Sequence, residues 1–231
     1  MWWLFPLINT VDLSAEQTSL INRHLQLVID MNESVNLTRI SSYQAGQVLH
    51  IEDSLVGVQD IMNAPAGNYA DLGTGGGFPG ITLAIATGRN TLLVDSVAKK
   101  ARALDKIVEE LGIQDTVGAF AGRIEELSLQ RPGEFAVLTA RALTALPSLI
   151  ELASPLLSMG GHLVCYKSIQ YESELEWALK IQEKVGMRHT STREFVLSDG
   201  TPRAIVTFEK NAEPQVRLPR RPGMAQKRPY K

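Results

Sequence analysis

The stretch Tyr69-Ala70-Asp71-Leu72-Gly73-Thr74-Gly75-Gly76-Gly77-Phe78-Pro79-Gly80 constrains the fold more than any other part of the chain. An extended segment ends at an acidic residue, a glycine-rich turn follows, and Pro79 stands where a helix can begin. Proline is tolerated in a first helical turn because the N–H it lacks would be unpaired there. Glycines let the backbone turn sharply and come close to a ligand. The stretch reads as the first strand–turn–helix of a nucleotide-cofactor fold.

The rest of the chain supports that frame. Residues 14–35 carry apolar side chains at helical spacing (Leu20, Ile21, Leu25, Val28, Ile29), and Ser14 with Gln17 resembles a capping box. A second helix is expected over 43–62, and the breaker cluster 63–68 separates this helical portion from the glycine loop. Strands are then expected at 69–72, 90–95, 117–120, 135–139, 162–166, 195–197 and 204–208. Helices are expected at 80–86, 97–111, 124–127, 143–157 (interrupted by Pro147) and 173–185, the last ended by Gly186. Strands alternating with helices predict an α/β fold with a mostly parallel, doubly wound sheet. The expected division is a helical portion over 1–66, a Rossmann-like domain over 67–212 and a basic tail over 213–231.

Composition narrows the class. The apolar fraction of 44% and charged fraction of 21% are ordinary for a globular protein, and 231 residues suffice for one sizeable α/β domain with an added piece. The single cysteine, Cys165, excludes an internal disulfide and a cysteine-rich zinc site. Cys165 reads as a small buried hydrophobe, and no metal site is expected. No run approaches the about 20 apolar residues that span a membrane. The apolar start, Met1-Trp2-Trp3-Leu4-Phe5-Pro6-Leu7-Ile8, lacks a basic region and a cleavage site, and is expected to pack on the body or stay disordered. The net charge of −2 hides an asymmetry, because Arg217, Arg220, Arg221, Lys227, Arg228 and Lys231 follow Glu213 with no acid among them. That tail is either a solvated end or a phosphate-binding arm.

The loop matches the dinucleotide spacing as Gly75-x-Gly77-x-x-Gly80, a weak signal by itself. Its acidic neighbours favour another cofactor. Asp71, two residues before Gly73, would repel a pyrophosphate but suits a cation, and S-adenosylmethionine carries an ammonium and a sulfonium. Asp95, about twenty residues on, can accept hydrogen bonds from ribose hydroxyls. At the end of the fourth strand the chain reads Thr139-Ala140-Arg141-Ala142. The Asn/Asp-Pro-Pro-aromatic motif of amino-group methyltransferases is absent there, as is a Pro-Cys nucleophile. Arg141 is the one charge in an apolar segment and needs a partner or a ligand.

These residues identify the chain as similar to the RsmG (GidB) family of bacterial 16S ribosomal RNA guanine-N7 methyltransferases. The resemblance runs through Asn32-x-x-x-Asn36-Leu37-Thr38, His50-Ile51-Glu52-Asp53-Ser54, the glycine loop, Leu93-Val94-Asp95-Ser96-x-x-Lys99-Lys100, Gly122-Arg123-Ile124-Glu125-Glu126, Ala140-Arg141-Ala142, Gly160–Lys167 and Leu218–Pro229. Met31 and Ser168 depart from the family pattern, which usually has tryptophan and glycine there. The resemblance implies a class I methyltransferase fold, a seven-stranded sheet with an antiparallel last strand and an N-terminal helical extension. It implies S-adenosylmethionine as cofactor, held by Asp71, Gly73, Gly75, Phe78, Asp95, Ile124, Glu125 and Arg141. Arg141 would position the substrate for catalysis, and His50, Asp53 and Lys167 are candidate substrate contacts, although a helix–domain contact accounts equally well for His50 and Asp53. The implied substrate is guanine-527 in the 530 loop of 16S rRNA, and the implied setting is a cytoplasmic monomer acting on the small subunit or its precursor. A methyltransferase for another RNA or a small molecule, an NAD-dependent oxidoreductase, and an RNA-binding assembly factor are the alternatives.

Overall fold

The computed structural model describes residues 12–40 and 42–230. The apolar stretch of residues 1–8 lies outside them. Seven strands form one sheet: β1 (Asn68–Leu72), β2 (Thr91–Asp95), β3 (Val117–Ala121), β4 (Phe135–Arg141), β5 (Leu157–Ser168), β6 (Met187–Val196) and β7 (Pro202–Lys210). Their order is β3-β2-β1-β4-β5-β7-β6. The first five run parallel, and β7 inserts antiparallel between β5 and β6. The order reverses between β1 and β4, so their carboxyl ends open the crevice where such sheets bind ligands. The class I methyltransferase architecture expected from the sequence is therefore the one observed.

Helix α1 (Ala15–Val35) begins with the expected capping box and ends at Asn36, which adopts a left-handed φ of 54°. The Asn32 side chain accepts from Thr38 N at 2.9 Å and folds the chain back after the cap. Ile21, Leu25 and Val28 of α1 share one core cluster with Phe78, Ile81, Leu104 and Ile107. This joins α1 to α5 (Gly80–Thr87) and α6 (Ala98–Glu110). The opposite face of the sheet is covered by α7 (Ile124–Gln130), α8 (Leu146–Ala153) and α9 (Glu172–Ile181), whose apolar residues form a second cluster with Leu138, Leu163 and Val206.

The single helix expected over 43–62 is broken. It consists of α2 (Tyr43–Gly46), a π-helical stretch (Gln47–Glu52), α3 (Asp53–Leu55) and α4 (Val58–Asn63). Two carbonyls in the π stretch accept hydrogen bonds from side chains. Arg141 Nη1 donates to Leu49 O at 3.1 Å, and Ser54 Oγ donates to His50 O at 2.5 Å. Such insertions locally widen a helix.

Three further differences have local causes. Pro147 does not interrupt α8, because it lies in the first turn, where no N–H is missed. The Met159-Gly160-Gly161 turn is instead an irregularity inside β5, where the register with β4 shifts between Phe135 and Val137. Strand β6 is far longer than 195–197 and starts directly after Gly186. It is an edge strand, mostly accessible on both faces, so it lacks an apolar alternation.

Over its described residues the tail is not a solvated end but packs on the body. Arg220 makes a bidentate pair with buried Glu151, with both contacts at 2.6 Å, and stacks over the Tyr230 ring at 4.1 Å. Trp177 Nε1 donates to Tyr230 O at 2.6 Å, and Ala225 of α10 (Met224–Lys227) is buried against α8. Arg217, Arg221, Lys227 and Arg228 remain exposed.

Candidate functional site

A cavity of about 560 Å³ opens at the carboxyl ends of β1, β4 and β5. Its walls include Thr38, His50, Asp53, Gly73, Gly75, Phe78, Arg141, Tyr166, Lys167 and Arg203. The size falls within the range that buries a small-molecule cofactor. The glycine loop forms one wall. Gly73, Gly75 and Gly77 have φ values of 71°, 59° and 86°, a region that residues with side chains rarely adopt.

Asp71 lies behind the loop and does not line the cavity. Its carboxylate is fully buried, accepting from Gly80 N at 3.0 Å and from Thr139 Oγ1 at 2.6 Å. Thr139 Oγ1 lies 2.7 Å from Tyr69 Oη, so a buried chain of hydrogen bonds ties β1, β4 and the start of α5 together. Burial raises the Asp71 pKa above the ordinary carboxylate value, opposed by the bond from Thr139. Asp95, at the end of β2, accepts from Gly75 N at 3.2 Å and from Val97 N at 2.8 Å. Each carboxylate oxygen can accept a second hydrogen bond.

Arg141 is held from three sides. Nη1 donates to Asp53 Oδ2 at 2.8 Å and to Leu49 O, and Nη2 meets His50 Nδ1 at 3.2 Å. A guanidinium only donates, so His50 Nδ1 accepts, and His50 Nε2 carries the proton and donates to Thr38 Oγ1 at 2.8 Å. Burial and the Arg141 charge lower the His50 pKa to about 3, which keeps the ring neutral. Asp53 also lies 3.5 Å from Arg203 Nε. Thus His50 and Asp53, named from the sequence as substrate contacts, both orient Arg141. Lys167 lines the cavity, paired with Glu174 at 2.6 Å and donating to Thr144 O at 3.2 Å.

Asp95, tied to Gly75 N, does not itself line the cavity, and two further named residues lie elsewhere. Ile124 is packed into the core cluster of α7 to α9. Glu125 is buried and accepts from Gly223 N of the tail at 2.7 Å, lining a separate cleft of about 480 Å³ with Leu129 and residues 217–222. Sequence reasoning missed His24, Tyr166, Glu174 and Arg203. Their roles depend on partners distant in sequence, such as Tyr166 Oη donating to Ser54 O at 2.8 Å. The Asn32, Asn36 and Thr38 pattern was the one local sign that the chain turns back over the loop. Among the described residues no helix is long and apolar enough to cross a membrane, and no group of three or more His, Cys, Asp or Glu could hold a metal ion.

Comparison with known proteins gives consistent matches. Residues 17–202 match the family model GidB, described as rRNA small subunit methyltransferase G. The Ribosomal RNA small subunit methyltransferase G of Carboxydothermus hydrogenoformans is 32% identical over 225 residues, covering 95% of this chain and 94% of that protein. That of Streptococcus sanguinis is 30% identical over 223 residues, covering 95% and 94%. Among solved structures, an O-methyltransferase from Bacillus cereus in complex with SAH superposes with a TM-score of 0.58 at 18% identity, covering 81% of this chain and 90% of that one. At that identity the likeness speaks for the fold alone.

Proposed function

The chain belongs to the rRNA small subunit methyltransferase G family, and from that premise we propose that it methylates N7 of a guanine in 16S rRNA, guanine-527 of the 530 loop, using S-adenosylmethionine. The observation that carries this reading is the shared cavity: the glycine loop and the restrained Arg141 face the same space at the switch point of the sheet. Family membership also weighs against a dinucleotide at the loop.

The donors fit the cofactor. Gly73 and Gly75 offer backbone at the cavity wall, and Asp95 keeps acceptor capacity at the end of β2 for ribose hydroxyls. Asp71 acts one layer behind, through Gly80 and Thr139. A bound S-adenosylmethionine would supply an electrophilic methyl to the free lone pair of guanine N7, the S–C bond breaking to release S-adenosylhomocysteine as the N–C bond forms, with no proton lost from the base. The residues present suit such a reaction, because none needs to act as a base. His50 is held neutral and spends both ring nitrogens on Thr38 and Arg141. Arg141 uses three of its five N–H donors on the protein, leaving two for guanine O6 or a flanking phosphate. Asp53 balances the Arg141 charge, so the cationic methylated base does not meet a bare guanidinium. Catalysis then rests on positioning and preorganised electrostatics. The N7 edge lies in the deep major groove of A-form RNA, so the target base must be splayed out of a helix. In this reading the described part of the helical portion, residues 12–40 and 42–66, braces a transfer domain over 67–212, residues 213–230 fasten to it, and the protein works as a cytoplasmic monomer on the small subunit or its precursor.

The test is mass mapping of 16S rRNA from cells lacking this protein. Loss of one N7-methylguanine, restored by the wild-type chain, is the expected result. An unchanged methylation map refutes the proposal.

A further inference from the structure

We propose that His24 of α1 is a positioning residue for the cofactor, holding the glycine loop in its binding form from behind. The inference rests on the methyltransferase reading and extends it to a residue outside the cavity.

His24 is completely buried, and its Nε2 lies 2.9 Å from Gly76 O. A carbonyl only accepts, so Nε2 carries the proton. Burial lowers the ring's pKa to about 4, so the ring is neutral and Nδ1 bears a bare lone pair. Nδ1 has no hydrogen-bond partner among the described residues. A buried acceptor without a donor is a standing cost, which an apolar side chain here would avoid. Packing alone therefore does not account for a histidine at this position, whereas the bond to Gly76 does.

That bond falls between two glycines in left-handed conformations, Gly75 and Gly77. On one side Gly75 N is tied to Asp95, and on the other Gly76 O is tied to His24. The approach is close enough that a Cβ on Gly77 would sit 3.0 Å from His24 Nε2. Phe78 is clamped as well. Its ring stacks on His24 at 4.2 Å and on His50 at 4.4 Å, the latter within 3° of parallel. Since His50 continues to Arg141, one line of contacts runs from α1 through the loop to the β4 arginine. Gly75, Gly76 and Phe78 all line the cavity, so releasing Gly76 O unsettles the wall against which the cofactor rests.

The experiment titrates S-adenosylhomocysteine into the full chain by calorimetry and measures methyl transfer to small subunits. His24→Phe keeps a ring against Phe78 and removes the donor. The expected result is about tenfold weaker binding, the factor that one hydrogen bond of ordinary net strength provides. KM for S-adenosylmethionine rises to match, while kcat stays within about twofold. His24→Gln returns a donor near the Nε2 position and is expected to recover most of the affinity. Ile21→Ala, one turn earlier in the same core cluster, controls for loosening of α1: it lowers the melting temperature and leaves binding unchanged. Wild-type affinity in His24→Phe, or equal loss in Ile21→Ala, overturns the inference. If the wild-type chain itself does not bind S-adenosylhomocysteine, the methyltransferase reading falls, and the inference falls with it before any variant is made.

Discussion

Asp71→Asn separates an acid that touches the ligand from one that shapes the loop. The substitution keeps size and shape but turns one acceptor into a donor. The amide oxygen must face Gly80 N, because an NH₂ there would oppose another donor at 3.0 Å. The NH₂ then faces Thr139 Oγ1, which in the native protein donates to Asp71. Thr139 can accept instead if its own proton turns to Tyr69 Oη, 2.7 Å away. The Tyr69 proton is left without a partner at a site with no solvent exposure. One stranded buried donor costs about 1–3 kcal/mol. The pH dependence has a definite sign. The folded Asp71 pKa is raised above 3.8, so the native state binds more protons than the unfolded one between those values. Stability that Asp71 contributes below 3.8 is lost as pH rises through its folded value. The variant does not titrate there, so its deficit is expected to shrink as pH rises through the folded pKa of Asp71 and then level off. Urea denaturation from pH 4 to 8 measures this, and Asp71→Asn/Tyr69→Phe is expected to recover stability by removing the stranded hydroxyl. Binding of S-adenosylhomocysteine should change less than about threefold, because the loop keeps its Gly80 anchor. Hundredfold weaker binding with unchanged stability would mean that Asp71 meets the cofactor directly, and would refute the inward-facing assignment.

Three other outcomes follow from buried groups. Acid should destabilise the protein through His24, whose folded pKa of about 4 lies below the 6.5 of a free histidine side chain. Its contribution is present above 6.5 and lost as pH falls towards 4, up to about 3 kcal/mol, so His24→Phe should flatten the stability–pH curve in that window. Arg220→Ala strands Glu151, which is 3% exposed, and should cost about 3 kcal/mol, or roughly 6–12 °C in melting temperature, with faster tryptic cleavage in the tail. A melting temperature within about 2 °C of wild type would show that the tail is fastened elsewhere. Cys165 is buried, which pushes its thiol up to about 12, so iodoacetamide should label it only after unfolding. Rapid labelling of the native chain would contradict the packing of β5.

The alternating α/β order was legible because buried parallel strands read as short apolar runs, such as the one that ends at Asp95. Strand β6 was mostly missed for the converse reason: at the edge of the sheet Arg188, Ser191 and Arg193 need not alternate with apolar residues. The π-helical stretch was not legible either. It goes with a carbonyl bonded to Arg141, 92 positions away from Leu49, and no local spacing encodes such a partner.

The candidate site was legible as a set of residue types and illegible as a set of directions. Asp71 and Asp95 were picked out as acids flanking the glycine loop that suit a cationic cofactor and its ribose, and Arg141 as a charge in an apolar segment that needs a partner; each has partners in the fold. Those partners are protein groups: backbone N–H for the two acids, with the Thr139 hydroxyl as well for Asp71, and Leu49, His50 and Asp53 for the arginine. Charges satisfied in this way are already oriented before a ligand arrives, which is what the proposed displacement, needing no base, would require of its surroundings. The same logic changes the standing of the N-terminal helix. From spacing alone α1 is an amphipathic addition to a nucleotide-binding domain. Once His24 is seen to donate to Gly76 and to stack on Phe78, α1 becomes part of the loop's support. A glycine loop is free to take several shapes because it has no side chains of its own. The shape it holds here is imposed from behind by Asp71, Asp95 and His24, so the ligand specificity of such a loop resides in its neighbours as much as in its spacing.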